Sequence, residues 1–352
     1  MAEPGPRNLI TDVPGLLVGQ AEDADGITGT TVVVCEMPAI AAVDVRGGAP
    51  GSRETELLDP AALVQRVDAI VLSGGSAFGL DAAAGVMEGL AAIGRGFAVR
   101  DVLVPIVPAA ILFDLAFPGR RPWAGEPPYR RLGREALARA GRDFALGNAG
   151  AGLGAKAGRL KGGIGSASLR LRDGSLGGSL GGSLGGATVG ALVALNSWGS
   201  VVRPDCGRLW ASELALAGEI ALQPAAPAVS LDAEDFSACA AAASGANTTI
   251  AVVATDAPLG RSGCRRLAIM AQDGLAQAIR PAHTPFDGDT VFALAVSPGG
   301  EGGAGGDVDP AVLARLGAAA ASCLARAIMR AVMEAASLGG LPSWRQRWGG
   351  DG

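Results

Sequence analysis

Apolar positions along the chain follow two periods in turn. Short runs of β-branched and other apolar residues, bounded by turn formers, predict strands at Thr28–Cys35 and Ile40–Val45. Similar runs follow at Asp68–Ser73, at Ser166–Arg172, and at Thr290–Val296. Between them, capping signatures mark helices. Asp59-Pro60 and Asp309-Pro310 each pair an N-cap carboxylate with proline at the first helical position. The second pair opens the longest predicted helix, which runs to about Ala336. Gly74-Gly75 leads into an alanine-rich helix reaching about Ile93. In Ser262–Ile279, Cys264, Leu267, Ala268, Ala271 and Leu275 recur at helical spacing and give a core-facing stripe.

The middle of the chain breaks this rhythm. Gly147 to Gly165 is dense in glycine, and Gly174–Gly185 is three tandem copies of GSLG. A four-residue period is too short for a solenoid, so the repeat reads as a lengthened loop. Gly174 to Val202 carries no charge, but its glycine- and serine-rich first half lacks the apolar density of a membrane span. A second boundary falls at Ala240–Ala246, a run of small residues ending at Asn247. A strand, Thr248–Thr255, begins at once. A weakly packed linker running straight into a core strand is where a chain can be cut without losing its fold.

Composition narrows the chemistry. The 352 residues are enough for one large domain or two ordinary ones, and the net charge of −5 makes nucleic acid and acidic membranes poor partners. Five scattered cysteines with no C-x-x-C pair argue against a disulfide framework or a cysteine zinc site. The N-terminal residues show no secretory pattern, and with the cysteines they point to a cytoplasmic protein. His283 is the single histidine, which excludes a histidine-based metal site and most triads. The general base is expected to be something other than imidazole. Gly74–Gly79 falls short of a nucleophile elbow because Phe78 stands where glycine is required, and reads as a tight strand-to-helix turn. No P-loop and no dinucleotide fingerprint is present.

One constellation survives. If the Asn247–Thr248 bond were cut, Thr248 would carry a hydroxyl and an α-amine on one residue. An α-amine titrates at about 7.7–8.0, so it can accept the hydroxyl proton without histidine. Asp287 and Asp289 flank Gly288 just before a strand and would share a face if extended, needing a cation such as the Thr248 ammonium or Lys161. Lys161 is an isolated cation in a glycine-rich segment, and Asn196 ends an apolar run, where its NH2 group can donate to an oxyanion. Taken singly, each has an ordinary structural alternative: a turn, a solvated lysine, a strand-end amide.

The order of segments carries more than any one of them. Ile10–Gly15, Asp44–Gly51, Leu72–Gly79, Leu160–Gly165, Asn247–Ala251 and Phe286–Thr290 together resemble the L-aminopeptidase/D-esterase family, with its β-aminopeptidases and nylon-oligomer hydrolases. The resemblance spans nearly the whole chain. It implies an α/β (α+β) fold, a four-layer αββα sandwich of the N-terminal-nucleophile-hydrolase kind. It also implies a precursor cut between Asn247 and Thr248 into an α subunit, 1–247, and a β subunit, 248–352, together one domain. By the same resemblance Thr248 is the nucleophile, Lys161 and Asn196 line the site, and Asp287 and Asp289 match the acidic pair of the nylon-oligomer type. It further implies amide hydrolysis of small peptides or linear oligoamides without a cofactor, by tetramers or larger assemblies of processed units. Phe113 stands where some members have an oxyanion-holding tyrosine, and Gln20 where a histidine is frequent. The alternative function is acyl transfer of the ornithine acetyltransferase type with the same nucleophile. A non-catalytic binding protein would require Thr248 never to become a terminus.

Overall fold

The computed structural model describes residues 2–171, 186–216, 218–220, 247–296 and 308–348. The GSLG repeat and the small-residue linker before Asn247 lie outside the described residues.

Seven strands build the framework: β1 (Leu16–Asp23), β2 (Thr28–Val45), β3 (Arg66–Ser73), β4 (Gly163–Leu171), β5 (Thr188–Asn196), β6 (Thr248–Thr255) and β7 (Thr290–Ala295). Four α-helices of ten or more residues accompany them among the described residues: α1 (Asp81–Ala92), α2 (Tyr129–Ala138), α3 (Arg261–Ala278) and α4 (Pro310–Met333). The two runs expected as separate strands, Thr28–Cys35 and Ile40–Val45, form one strand whose pairing with β3 shifts register between Val34 and Ala39. Before the shift β2 pairs with β1; after it, β2 pairs with β7. The bulged strand therefore passes from one sheet layer into the other, as bulges permit.

Side-chain alternation on these strands sorts the apolar residues into three cores. Val32 and Val34 of β2, with Ala69 and Val71 of β3, meet α1 and α2 through Val86, Leu90 and Leu132. Val33, Ile70, Leu72, Leu192, Ile250, Val252 and Phe292 fill the space between the layers. Val189, Val193, Ala251, Val253 and Val291 meet α3 and α4 through Leu267, Leu275, Leu324 and Ile328. Helices, sheet, sheet, helices: the fold is the expected αββα sandwich.

Most local expectations hold within a few residues. Asp309 caps α4, its carboxylate accepting the Ala311 N–H at 2.7 Å, and α4 ends at Met333. That helix is long and apolar enough to cross a membrane, yet Leu316, Leu324, Ile328 and Val332 are packed in the core against the sheet. Asp59-Pro60 is the exception. It opens only a turn, with Asp59 accepting the Ala61 N–H at 2.8 Å. Arg261, at the start of α3, takes the carbonyl oxygens of Asp59, Ala62 and Val64, which a helix would use internally. Gly74-Gly75 is the expected tight turn. Gly75 has φ +90°, a Cβ there would lie 2.0 Å from the Tyr129 ring, and its N–H is spent on Asp114 at 2.8 Å.

Strand direction decides where the motifs meet. β5 and β6 are antiparallel, with Asn196 opposite Thr248. β7 runs parallel to β6, with Thr290 beside Ile250, so the loop that precedes β7 arrives where β6 begins. β2 leaves at the same end, Val45 opposite Thr290, and β4 enters there, Gly163 opposite Leu195. The segments around 46–51, 161, 196, 248 and 287–289 thus converge on one end of five neighbouring strands.

Candidate active site

The centre of this cluster is the Asn247–Thr248 peptide bond. Both residues are buried. The Thr248 hydroxyl donates to the Asn247 carbonyl oxygen at 2.5 Å, and the Gly288 N–H donates to the same oxygen at 3.1 Å. Two donors on one carbonyl draw electrons from its carbon, and one of them is the side chain that would attack it. The Asn247 side-chain amide is buried, with no hydrogen-bond partner among the described residues.

Gly288 is required where it stands. A Cβ there would lie 2.7 Å from Thr248 Oγ1 and 2.7 Å from the Ala49 carbonyl oxygen. The Asp44–Gly51 motif explains itself in the same way. Arg46 N–H donates to the Asp289 carbonyl at 3.0 Å and Ala49 N–H to the Asp287 carbonyl at 2.8 Å, so this segment clasps the acidic loop. A Cβ on Gly47 would fall 2.3 Å from the Asp289 nitrogen.

Among the described residues, the two carboxylates share no lysine or arginine side chain. Asp287 accepts the Trp198 N–H at 3.1 Å on one oxygen, and the Thr284 N–H at 3.1 Å and hydroxyl at 2.7 Å on the other. Burial, and then the charge of Asp289, push its pKa up to about 6 against those donors. Asp289 accepts the Thr249 N–H at 2.9 Å on one oxygen. Its other oxygen meets the backbone N–H of His283 at 3.1 Å and the ring Nδ1 at 2.9 Å.

Of the two cations considered for the acidic pair, the Thr248 ammonium and Lys161, the second is engaged elsewhere. It is fully buried, and its Nζ donates to the carbonyl oxygens of Gly152 and Gly162, both at 2.8 Å. Loss of water brings its pKa down to about 7, with Asp114 opposing the shift. Asp114 itself rises to about 6 by burial, its oxygens accepting from Thr28 and Gly75.

Asn196 is buried beside Thr248 across the β5–β6 pairing. Its Oδ1 accepts the Lys156 N–H at 3.0 Å and its Nδ2 donates to the Phe113 carbonyl at 3.2 Å. Phe113 thus takes part through its backbone. The one tyrosine of the chain, Tyr129, is buried against Thr28 and the Gly75 turn. Asn196 also lies on the wall of a cavity of about 440 Å³, with Phe113, Phe117, Lys156, Arg159 and Pro342. Gln20 pairs its amide at both ends with the Ala145 backbone.

Sequence reasoning missed His283, Thr284, Trp198 and the two glycines at 47 and 288. Only the spacing of Gly47 and Gly288 within their motifs carried a signal.

With the geometry in place, comparison with known proteins gives the family. The model of peptidase family S58 matches residues 8–344. The chain belongs to peptidase family S58. An uncharacterised aminopeptidase of Mycobacterium tuberculosis is 46% identical over 357 residues, covering 97% of this chain and 98% of that protein. A 6-aminohexanoate-oligomer endohydrolase of Paenarthrobacter ureafaciens is 29% identical over 302 residues, covering 82% of this chain and 75% of that one. Among solved structures, a Burkholderia sp. β-aminopeptidase superposes with a TM-score of 0.66 at 24% identity, over 99% of this chain and 94% of its own. The L-aminopeptidase D-Ala-esterase/amidase of Ochrobactrum anthropi, a variant of the Ntn hydrolase fold, gives 0.66 at 21%, over 95% and 88%. This S58 member is a hydrolase of amide bonds, and these relatives lend the acyltransferase alternative no support.

Proposed function

We propose that this S58 peptidase matures by cutting its own Asn247–Thr248 bond and then uses Thr248 as an N-terminal nucleophile on amides. The observation that carries this is the pair of donors on the Asn247 carbonyl, the Thr248 hydroxyl at 2.5 Å and the Gly288 N–H at 3.1 Å. In the precursor, Thr248 Oγ1 adds to the Asn247 carbonyl carbon and its proton leaves for the departing Thr248 nitrogen. The peptide C–N bond breaks and an ester forms. Water hydrolyses that ester, leaving the Asn247 carboxylate on an α subunit, 1–247, and a free α-amine on a β subunit, 248–352.

In the mature protein the α-amine takes the Thr248 hydroxyl proton as Oγ1 attacks a substrate carbonyl. The Gly288 N–H, relieved of Asn247, becomes an oxyanion donor, and Asn196 supplies a second from the cavity side. The proton passes from the α-amine to the leaving amine, and water frees the acyl group from Thr248. Asp289 holds the backbone at Thr249, and Asp287 holds Trp198 and Thr284. Lys161 ties the Gly152 and Gly162 carbonyls together where β4 enters the same end. The substrate class is amino-terminal aminoacyl amides of small peptides, for which the 46% identity to mycobacterial aminopeptidases weighs more than the 29% to oligomer endohydrolases.

Intact mass under denaturing conditions tests the reading. The wild type should give two fragments meeting at Asn247/Thr248 and should hydrolyse aminoacyl amides. Thr248→Ala should give one uncut chain with no turnover. A wild type that stays uncut while active would sink the proposal.

A further inference from the structure

His283 enters the site by a route that its type alone does not reveal. Its backbone has φ +57°, in the left-handed region that costs most residues energy and that histidine tolerates better than bulky ones. This conformation folds the residue back so that its N–H and its ring Nδ1 both reach one oxygen of Asp289, at 3.1 and 2.9 Å. The other Asp289 oxygen accepts the N–H of Thr249, the residue after the nucleophile, at 2.9 Å. A carboxylate accepts and does not donate, so Nδ1, the ring nitrogen that faces it, carries the hydrogen. Asp289 is buried, whereas the His283 side chain is 21% exposed. The ring closes the solvent side of the carboxylate that ties down the start of β6.

Resting on the Thr248 mechanism above, we propose that His283 is a positioning residue. Its imidazole fixes the Asp289 carboxylate and, through the Thr249 N–H, fixes where the Thr248 hydroxyl and α-amine sit. The ring exchanges no proton with substrate; it acts through Asp289 and the backbone. Near-attack geometry is steep, with misplacement of about 1 Å costing about 100-fold in rate. The consequence belongs in kcat and in the rate of self-cleavage, while KM stays as it was.

Two substitutions separate the ring from the backbone it sits on. His283→Gly adopts a positive φ freely and keeps the N–H donor, losing only the ring. His283→Asn tolerates the same backbone and returns an amide N–H close to the Nδ1 position. The readouts are a time course of chain cleavage during cell-free synthesis, and kcat and KM on an aminoacyl amide. We expect His283→Gly to slow cleavage and kcat about 10- to 100-fold with KM within about threefold, and His283→Asn to restore both to within about threefold of wild type. Wild-type kcat in His283→Gly, an equal loss in His283→Asn, or a loss confined to KM would overturn the inference. Thr248→Ala, measured alongside, tells the two failures apart. If it is inert while His283→Gly is unaffected, only the role of His283 falls; if it still turns over, the Thr248 mechanism falls and the inference with it.

Discussion

Two buried ionisable clusters sit at the same end of the sheet, and they differ in what their polar groups hold. In the acidic loop, each oxygen of Asp287 and Asp289 meets at least one donor, most of them backbone N–H groups, and the partners include Thr249, one residue from the proposed nucleophile. In the lysine pocket, the Lys161 ammonium has two carbonyl oxygens, while the Asp114 carboxylate is occupied by Thr28 and Gly75. Burial pushes groups in both clusters toward neutrality, Asp287 and Asp114 up to about 6 and Lys161 down to about 7, so the difference lies in their partners. The first cluster is wired to the scissile bond; the second is a buried neighbour of it. Charges of opposite sign close together do not by themselves make an ion pair, because donor geometry decides which group each one serves.

The largest effect that could break this contrast is at Gly288. Alanine there would press a methyl group to 2.7 Å from both Thr248 Oγ1 and the Ala49 carbonyl, closer than Cβ contacts allow. The loop must retreat, taking the Gly288 N–H off the Asn247 carbonyl. Gly288→Ala should fold, by circular dichroism, yet cleave its chain about 1000-fold more slowly or worse, combining lost geometry and a lost donor. Cleavage at the wild-type rate would mean that the acidic loop does not hold the nucleophile.

Asn196 stands between the clusters and should show a smaller, divided effect. The intact precursor offers its carbonyl to Gly288, whereas the mature site is proposed to use Asn196 as well. Asn196→Ala should lower kcat about 100-fold, the usual cost of an oxyanion donor, and slow chain cleavage by about tenfold or less. Equal losses in both rates would assign Asn196 to the precursor step too.

How much of this the sequence could show depends on distance along the chain. β6 and α3 are legible because their signals are local: a β-branched run that starts abruptly at Thr248, and an apolar stripe at helical spacing. The site residues Thr248, Asn196, Asp287 and Asp289 are each ordinary in isolation, and only the parallel β6–β7 pairing brings the last two beside the first. Asp59-Pro60 misleads because a local capping signal is overruled by Arg261, about 200 residues away in sequence. His283 is invisible for a different reason. Counting histidines tests for imidazole as a base or ligand, whereas its contact depends on a left-handed turn that aims the ring at Asp289, six residues later. Lys161 could be offered, beside the Thr248 ammonium, as a cation for the acidic pair but not placed, since nothing in the sequence says that it turns to Gly152 and Gly162.

The smallest effect belongs to Lys161, and it appears in stability. Its pKa is about 7 in the fold against an ordinary 10.5, because burial penalises the ammonium. Between those two values the unfolded chain holds a proton that the folded chain has released, so raising the pH favours the fold. Below about pH 7 both states are protonated and the penalty is present in full; toward pH 10.5 it disappears. From pH 7 to 9.5 this one group should add about 3 kcal/mol, at about 1.4 kcal/mol per unit. Lys161→Met has no such proton to lose. Although the variant gives up two hydrogen bonds to carbonyl oxygens, that loss does not vary with pH. Calorimetric Tm measured across pH 7–9.5 should therefore rise by a few degrees more in wild type than in Lys161→Met. Parallel curves would show that Lys161 stays charged in the fold, with a partner closer than the two glycine carbonyls, and the contrast between the lysine pocket and the acidic loop would narrow.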